Sequence, residues 1–141
     1  PYIRRVGGSV LTDEEMLRYY GNLAQKFGPL HACYCTAFAA VDEEGQDAVF
    51  FQDDPRDADF FRAFGFLMCS QPHEKRNPGW PLDSLSIDPY FRRYWFDIAD
   101  SEYEIPELAP IRQLQAHFQA RVAAFLEQFF RLQRKQPLES H

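Results

Sequence analysis

The sequence predicts a mixed α/β fold of the α+β kind, in which a mixed central sheet of four or five strands is flanked by an N-terminal helix and a long C-terminal helix. Three observations support this prediction: a capped helical pattern near the start, several short apolar runs between turn residues, and a long helical repeat near the end. The chain has 141 residues. That length suits a single α/β domain over residues 1–141, which would bury about two thirds of its unfolded surface.

The N-terminal helix is predicted from a capping box. The Thr12 side chain can accept a hydrogen bond from the backbone N–H of Glu15, whose carboxylate can reach back to Thr12. Apolar residues then recur three and four positions apart, at Met16, Leu17, Tyr20, Leu23, Ala24 and Phe27. Gly28 and Pro29 are expected to end the helix.

The next apolar segments predict a hairpin. Residues 31–41 are apolar on both alternating faces, as expected of a central strand that is covered on both sides. Residues 42–45 have the composition of a turn, and residues 48–51 are predicted to return as an antiparallel partner.

Further strands are expected on either side of a polar loop. A short helical turn near Phe60 precedes a predicted buried strand at residues 65–70. After the loop, residues 85–88 alternate in polarity, and residues 94–98 are rich in strand-forming side chains. These segments bring the predicted sheet to four or five strands.

The C-terminal helix is expected to begin at Pro110, because proline is favoured in the first helical turn. Its apolar positions recur at helical spacing, at Ile111, Leu114, Phe118, Val122, Phe125, Phe129 and Leu132. Packing of this stripe on the chain's own sheet is the expected arrangement. The alternative is a homodimer in which two such helices pair.

The composition limits the classes of partner and compartment. A net charge of −6 opposes binding to DNA, RNA or an anionic membrane, whereas a local basic pocket can still hold one nucleotide. The sequence has no apolar run near the length of about 20 residues that spans a bilayer. The three cysteines are an odd number and fit free thiols in a reducing compartment. A cytoplasmic protein is expected.

The cysteines suggest two kinds of chemistry, metal binding and nucleophilic catalysis, and neither is predicted here. His31, Cys33 and Cys35 share one face of the predicted strand, and with Cys69 or His73 they would make a thiolate-rich metal site. Their spacing is not one used for zinc, and free cysteines are commonly buried, so no metal site is predicted from these residues. Nucleophilic catalysis by a cysteine with a histidine requires an exposed thiolate, which an interior strand does not provide.

The loop at residues 71–84 is the candidate site. Gly79 and Pro81 flank Trp80, whose indole could stack on a planar ligand such as a nucleobase. A basic cluster, His73, Lys75 and Arg76, precedes it and could hold phosphate groups. In the alternative interpretation, the Gly and Pro residues make ordinary turns and Trp80 fills the core.

The opening segment Tyr2–Gly8 resembles the Y-S-A-R-Y-A-G segment of the Ham1/inosine-triphosphate pyrophosphatase family, with Tyr2, Arg5 and Gly8 matching. A helix and an apolar strand follow it in the order that the family shows. The likeness extends from Pro1 to about Ile98.

The loop is the second match to this family. Gly79, Trp80 and Asp83 match the family's G-F-G-Y-D segment, in which the aromatic residue stacks on the purine and the Asp helps to recognise the base. Pro81 and Leu82 replace the family's Gly and Tyr.

The resemblance implies a pyrophosphatase that converts non-canonical purine nucleoside triphosphates, those of inosine or xanthosine, to the monophosphate and pyrophosphate. Mg²⁺ is implied as the cofactor that neutralises the phosphates. By the same resemblance, Arg5, Lys75 and Arg76 would face the phosphates and Trp80 would stack on the base. Asp83 and Ser84 would read the base.

The chain also departs from the family. The family's T-x-x-N-x-x-K phosphate loop and its acidic residues lie upstream of the opening match, and the S-H-R signature is missing from the end of this sequence. The chain is therefore expected to be the C-terminal part of a larger enzyme, or a divergent member.

The catalytic residues stay unassigned. The run Asp53, Asp54, Asp57 and Asp59 is the only candidate set of clustered carboxylates, and it has neither the spacing nor the central Gly of a calcium loop. The alternative function is a non-catalytic module that binds a nucleotide or another small ligand and acts through a protein partner.

Overall fold

The computed structural model describes residues 2–51 and 58–133. The chain divides into two compact units that interleave in sequence. The first unit comprises Pro1–Cys33 and Gly65–Pro106, and the second comprises Tyr34–Phe64 and Glu107–His141. Helices and antiparallel strands occur in both units, and the chain has an N-terminal and a long C-terminal helix. The predicted mixed α/β class is therefore confirmed, whereas the expectation of a single domain stays a prediction.

Helix α1, Asp13–Phe27, begins the regular structure of the first unit. The Thr12 hydroxyl accepts from the Glu15 amide at 3.3 Å, and the Thr12 amide donates to the Glu15 carboxylate at 2.7 Å. These bonds confirm the predicted capping box. The bond from the Thr12 amide, and then one that the Thr12 hydroxyl donates to the same carboxylate, hold the pKa of Glu15 below its usual value. Gly28 follows the helix with a φ of +84°, a backbone conformation that favours glycine.

Three short strands complete the first unit. They are β1, Leu30–Cys33, β4, Gly65–Met68, and β5, Ser86–Ile87, in the antiparallel order β1-β4-β5. The central strand β4 is buried along its whole length, which confirms the buried strand predicted there. Its core partners come from α1 and from the loop that follows β4, and the cluster consists of Met16, Leu17, Phe66, Met68, Leu82 and Leu85.

The second unit contains the predicted hairpin. Strand β2, Ala37–Val41, pairs antiparallel with β3, Asp47–Phe51. Asp42 shapes the turn between them, because one carboxylate oxygen accepts from the amides of Glu44 and Gln46 at 3.0 and 2.7 Å. The hairpin prediction is therefore confirmed.

Two helices belong to the second unit, of which the long one packs on the hairpin and the short one packs on the long one. They are α2, Ala58–Phe64, and α3, Ala109–Gln133. Phe118 of α3 is central, with its ring centroid 5.3 Å from that of Phe64, and 6.3 and 6.1 Å from those of the hairpin residues Phe38 and Phe50. The stripe of α3 thus packs on its own hairpin, as expected. No helix among the described residues is long and apolar enough to cross a membrane.

The arrangement of strands differs from the single mixed sheet that was predicted. Residues 31–41 do not form one strand, because β1 ends at Cys33 and β2 begins at Ala37. The chain passes from the first unit to the second between Cys33 and Tyr34, so β1 pairs with β4 while β2 pairs with β3. The expected burial on both faces is also wrong, since Val41 is exposed.

The strand predicted at residues 94–98 is also wrong. Tyr94 forms one isolated bridge with Ile87, and Trp95–Asp97 is a 3-10 turn. The amides of Asp97 and Ile98 bond to carbonyls three residues earlier, so they are not available to a strand partner. The other 3-10 turns of the chain's described part are Tyr2–Arg4, Val6–Gly8, Pro81–Leu85, Asp100–Glu104 and Pro106–Leu108.

The core position of Phe66 gives a stability prediction. Its side chain is 2% exposed and its ring lies 5.1 Å from that of Trp95. Phe66→Ala is expected to lower the free energy of unfolding by about 3–5 kcal/mol, measured by urea denaturation. Phe51→Ala is the matched control, because Phe51 is 72% exposed and its loss should change stability by no more than about 0.5 kcal/mol. Equal losses in the two variants would contradict this assignment of the core.

Candidate functional site

The candidate loop leaves β4 and returns to β5, and backbone bonds close it at its base. The Cys69 amide donates to the Leu85 carbonyl at 2.9 Å, and the His73 amide donates to the Ser84 carbonyl at 2.7 Å. Ser84 is fully buried and its hydroxyl donates to the Lys75 carbonyl at 2.8 Å. Ser84 therefore braces the loop from inside and does not face solvent in this conformation.

A clamp of three residues fixes the far end of the loop to α1. The Asp13 carboxylate accepts from the Gly79 amide at 2.8 Å and pairs with the Arg4 guanidinium at 2.7 Å. Arg4 in turn donates to the Gly79 carbonyl at 2.9 Å. Both polar groups of the Gly79 backbone are thus held by one ion pair. Gly79 has a φ of +86°, a conformation that glycine adopts without strain.

Trp80 projects from this clamped turn. Its side chain is 59% exposed, and its indole makes no hydrogen bond or ring contact with the described residues. Its backbone is held on both sides, because its amide donates to the Asn77 carbonyl at 2.9 Å and its carbonyl accepts from the Asp83 amide at 3.2 Å. Trp80 does not fill the core, so the alternative role considered for it is wrong.

Asn77 and Asp83 form a polar pair in the turn that carries Trp80. The Asn77 side-chain amide donates to Asp83 Oδ2 at 2.8 Å. The other carboxylate oxygen, Asp83 Oδ1, has no hydrogen bond to any described residue. The pair is thus a fixed acceptor group within the same turn as Trp80.

His73 is held in one tautomer. Its Nδ1 accepts from the Lys75 amide at 3.0 Å, so the ring proton of the neutral form is on Nε2, which lies 3.1 Å from the Asp97 carboxylate. The ring also contacts Tyr94 and Phe96, at centroid distances of 5.1 and 5.4 Å. Both ring nitrogens are occupied, so His73 supports the loop in this conformation.

The cations of the predicted basic cluster are engaged as well. Lys75 Nζ donates to the Phe96 carbonyl at 3.3 Å. The Arg76 guanidinium donates to the carbonyls of His73 and Lys75, and its Nε lies 3.7 Å from a Glu14 carboxylate oxygen. Arg5 differs from them. It is exposed between two 3-10 turns and has no partner in the described part of the chain.

Tyr94 closes the base of the loop from the opposite side. Its hydroxyl donates to the Gln71 carbonyl at 2.6 Å, and the Cys69 thiol lies 3.6 Å from it. Burial, and then the hydrogen bond with Cys69, raise the pKa of Tyr94 to about 12. The hydroxyl therefore stays protonated and remains a donor at neutral pH.

Several residues that build this site were not found from the sequence. Arg4 and Asp13 contact Gly79 across 75 and 66 positions of the chain. No local sequence pattern predicts such a contact. Asp13 in particular is explained by its position, because acidic residues are common in the first turn of a helix. The contact between Asn77 and Asp83 could have been predicted more easily, because the two residues lie six positions apart in the same loop.

The described residues do not supply an evident magnesium site. They contain no group of three or more His, Cys, Asp or Glu side chains that could hold a metal ion. Magnesium is often held by one or two carboxylates together with substrate phosphates, so a smaller donor set would suffice. Of the acidic run considered above, Asp59 lies in α2, and the residues from Asp53 to Asp57 fall outside the described part.

The clamp predicts a specific dependence on pH. The hydrogen bond from the Gly79 amide, and then the one from Arg4, lower the pKa of Asp13 below its usual 3.8. The ionised carboxylate therefore stabilises the clamp above pH 3.8, and this contribution is lost as pH falls through the lower folded value. In an NMR titration, the Gly79 amide should shift below pH 3.8.

Asp13→Asn is the control for this titration. The variant should lose the Gly79 transition at acidic pH and should leave the amides near Glu102 titrating as before, because Glu102 is held separately by Ala99 and Arg93. A Gly79 transition that persists in Asp13→Asn would show that another group causes it.

Comparison of the chain with protein-family models, with curated proteins and with solved structures gives no match. Inference of function therefore depends on the loop and on the side chains that surround it.

Proposed function

We propose that this chain recognises the base of an inosine or xanthosine nucleotide and acts as a nucleoside triphosphate pyrophosphatase. The observation that carries the proposal is Trp80, a largely exposed indole whose own backbone and that of Gly79 are hydrogen-bonded at both the amide and the carbonyl. A side chain whose backbone is fixed in advance loses less freedom when a planar ligand stacks on it. Base stacking on such a side chain contributes about 1–3 kcal/mol per base.

The polar pair of Asn77 and Asp83, in the same turn as Trp80, favours a 6-oxo purine. Such a base carries an N1–H donor next to the O6 acceptor, whereas adenine has an acceptor at N1 and an amino group at position 6. Asp83 Oδ1 can accept the N1–H, and a carboxylate would repel the adenine N1 lone pair. Guanine shares the N1–H, so this pair selects against adenine.

The proposed reaction releases pyrophosphate from the triphosphate, with Mg²⁺ neutralising the phosphate charge. The family resemblance implies that Arg5, Lys75 and Arg76 face the phosphates. Lys75 and Arg76 are bonded to backbone carbonyls, whereas Arg5 has no partner in the described part of the chain and can bind an anion. Binding of phosphate by Lys75 would require its bond to exchange. Arg76 could bind phosphate through Nε, which lies 3.7 Å from a Glu14 carboxylate oxygen and takes no part in the carbonyl bonds. Catalytic carboxylates are not assigned to the described residues.

A second function has its own support. The fixed backbone of Trp80 and the Asn77–Asp83 pair need no catalytic group to hold a base, so they equally support a module that binds a nucleotide without turnover. The same Trp80 platform serves either function, so binding and hydrolysis need separate experiments.

Trp80→Ala is expected to weaken binding of inosine triphosphate by about 1–3 kcal/mol, measured by calorimetry, because the base loses its stacking surface. Trp80→Phe should retain part of the affinity. The chain has two tryptophans, so Trp95→Phe leaves Trp80 as the sole indole, and its fluorescence should be quenched by inosine. Unchanged affinity in Trp80→Ala would rule out the platform.

Hydrolysis is tested with the 141-residue chain, magnesium and inosine triphosphate. Release of pyrophosphate that depends on magnesium is expected, because the proposed reaction needs the metal to neutralise the phosphate charge. Adenosine triphosphate is the control substrate for base selection. Binding of inosine triphosphate without release of pyrophosphate would contradict the proposed reaction and support the non-catalytic module.

A further inference from the structure

A pocket of about 250 Å³ lies between α1 and the segment that follows β4. Its polar lining comprises Glu14, Arg18, Asn22, Ser70 and Arg76. Four of these five side chains carry N–H or O–H donors, and two of them are guanidinium groups. Guanidinium groups favour phosphate and carboxylate ligands, so the pocket has the donors that an anion requires.

The walls of the pocket are held close together by a glycine. A Cβ atom on Gly21 would lie only 3.0 Å from the Ser70 carbonyl oxygen, so α1 approaches this segment more closely than a larger residue would allow. Arg18 lies one turn before Gly21, and Asn22 follows it. The pocket is therefore built into the packing of α1.

Of the two guanidinium groups in the pocket, that of Arg18 has fewer competing partners. Its guanidinium makes no hydrogen bond or ion pair with the described residues, although the charge of Glu15 lies near it. Arg76 has a weak partner here, because its Nε is 3.7 Å from Glu14, whose side chain is 72% exposed. Exposed pairs of this kind contribute little to stability, so an anion can replace Glu14 at Arg76.

The size and place of the pocket match a phosphate chain. Pockets for drug-sized ligands usually measure about 300–1,000 Å³, so about 250 Å³ is small for a whole nucleotide. The loop runs beside the first turn of α1, where Asp13 holds the Gly79 amide and Glu14 meets Arg76. Arg18 is about 7.5 Å further along the helix axis than Asp13.

We infer that this pocket binds the phosphate groups of the nucleotide whose base stacks on Trp80, an inference that rests on the proposed function. Arg18 and Arg76 pair with the phosphate oxygens, and Asn22 and Ser70 donate to them. Glu14 opposes the anion and turns away when it binds. The ligand class is thus a nucleoside polyphosphate whose base contacts Trp80 and whose phosphates enter this pocket.

The test compares three probes by calorimetry in buffer of low ionic strength: inosine, inosine triphosphate and inorganic tripolyphosphate. Arg18→Gln should weaken binding of both polyphosphates about tenfold, which is the loss of one charge-assisted bond, and should leave inosine binding unchanged. Glu14→Gln should strengthen polyphosphate binding about fivefold, because one repelling charge is removed. A gain of affinity cannot result from a failure to fold.

Lys26→Gln is the matched control, since Lys26 is a cation of the same helix that does not line the pocket. It should change polyphosphate affinity less than twofold. Equal effects of Arg18→Gln and Lys26→Gln would overturn the inference, because the loss of affinity would then result from the change in net charge and not from a contact in the pocket. No binding of tripolyphosphate, together with equal affinities for inosine and its triphosphate, would also overturn it.

The experiment distinguishes failure of the phosphate pocket from failure of the proposed function. Inosine binding that depends on Trp80, with no preference for the triphosphate, would support the base platform and overturn the phosphate pocket. Tripolyphosphate binding that depends on Arg18, with no binding of inosine, would support an anion site and overturn the proposed function. In that case the phosphates would belong to a ligand without a purine.

Discussion

The ion pair of Arg4 and Asp13 is the interaction on which the candidate site depends. It holds both the N–H and the carbonyl of Gly79, and so it positions the turn that carries Trp80. A large exposed indole on a free loop would lose conformational entropy when it binds a ligand. With its backbone fixed in advance, the same side chain can use more of its stacking energy for binding.

The elements with local signals could be predicted from the sequence. The capping box of Thr12 and Glu15, the turn at Asp42 and the apolar stripe of α3 each involve residues close in sequence, so spacing alone predicts them. The division of the strands between two sheets could not be predicted. The apolar pattern at residues 31–41 is continuous, and only the path of the chain between the two units separates β1 from β2.

The sequence predicts which residues belong to the candidate site, but it does not predict the hydrogen bonds that these residues make. Trp80 and Asp83 were identified from the loop, and the structure places both on one braced turn. The cluster of His73, Lys75 and Arg76 was expected to attract anions, yet the donors of Lys75 and Arg76 bond to carbonyls. A loop with few regular backbone bonds leaves carbonyls to be satisfied, and nearby cations are the available donors. The number of basic residues in a sequence segment does not show which of their N–H groups are available to bind an anion.

Asp13 and Glu14 show how one helix turn can serve two parts of a site. Asp13 is held by the loop amide of Gly79 and by the Arg4 guanidinium, which both lower its pKa, whereas Glu14 meets Arg76 at 3.7 Å and remains largely exposed. The first carboxylate is therefore fixed and the second is free to move. Because both project from the start of α1, exchange of Glu14 for an anion would leave the Gly79 clamp and Trp80 in place. Base stacking and phosphate binding can then contribute to affinity without one disturbing the other.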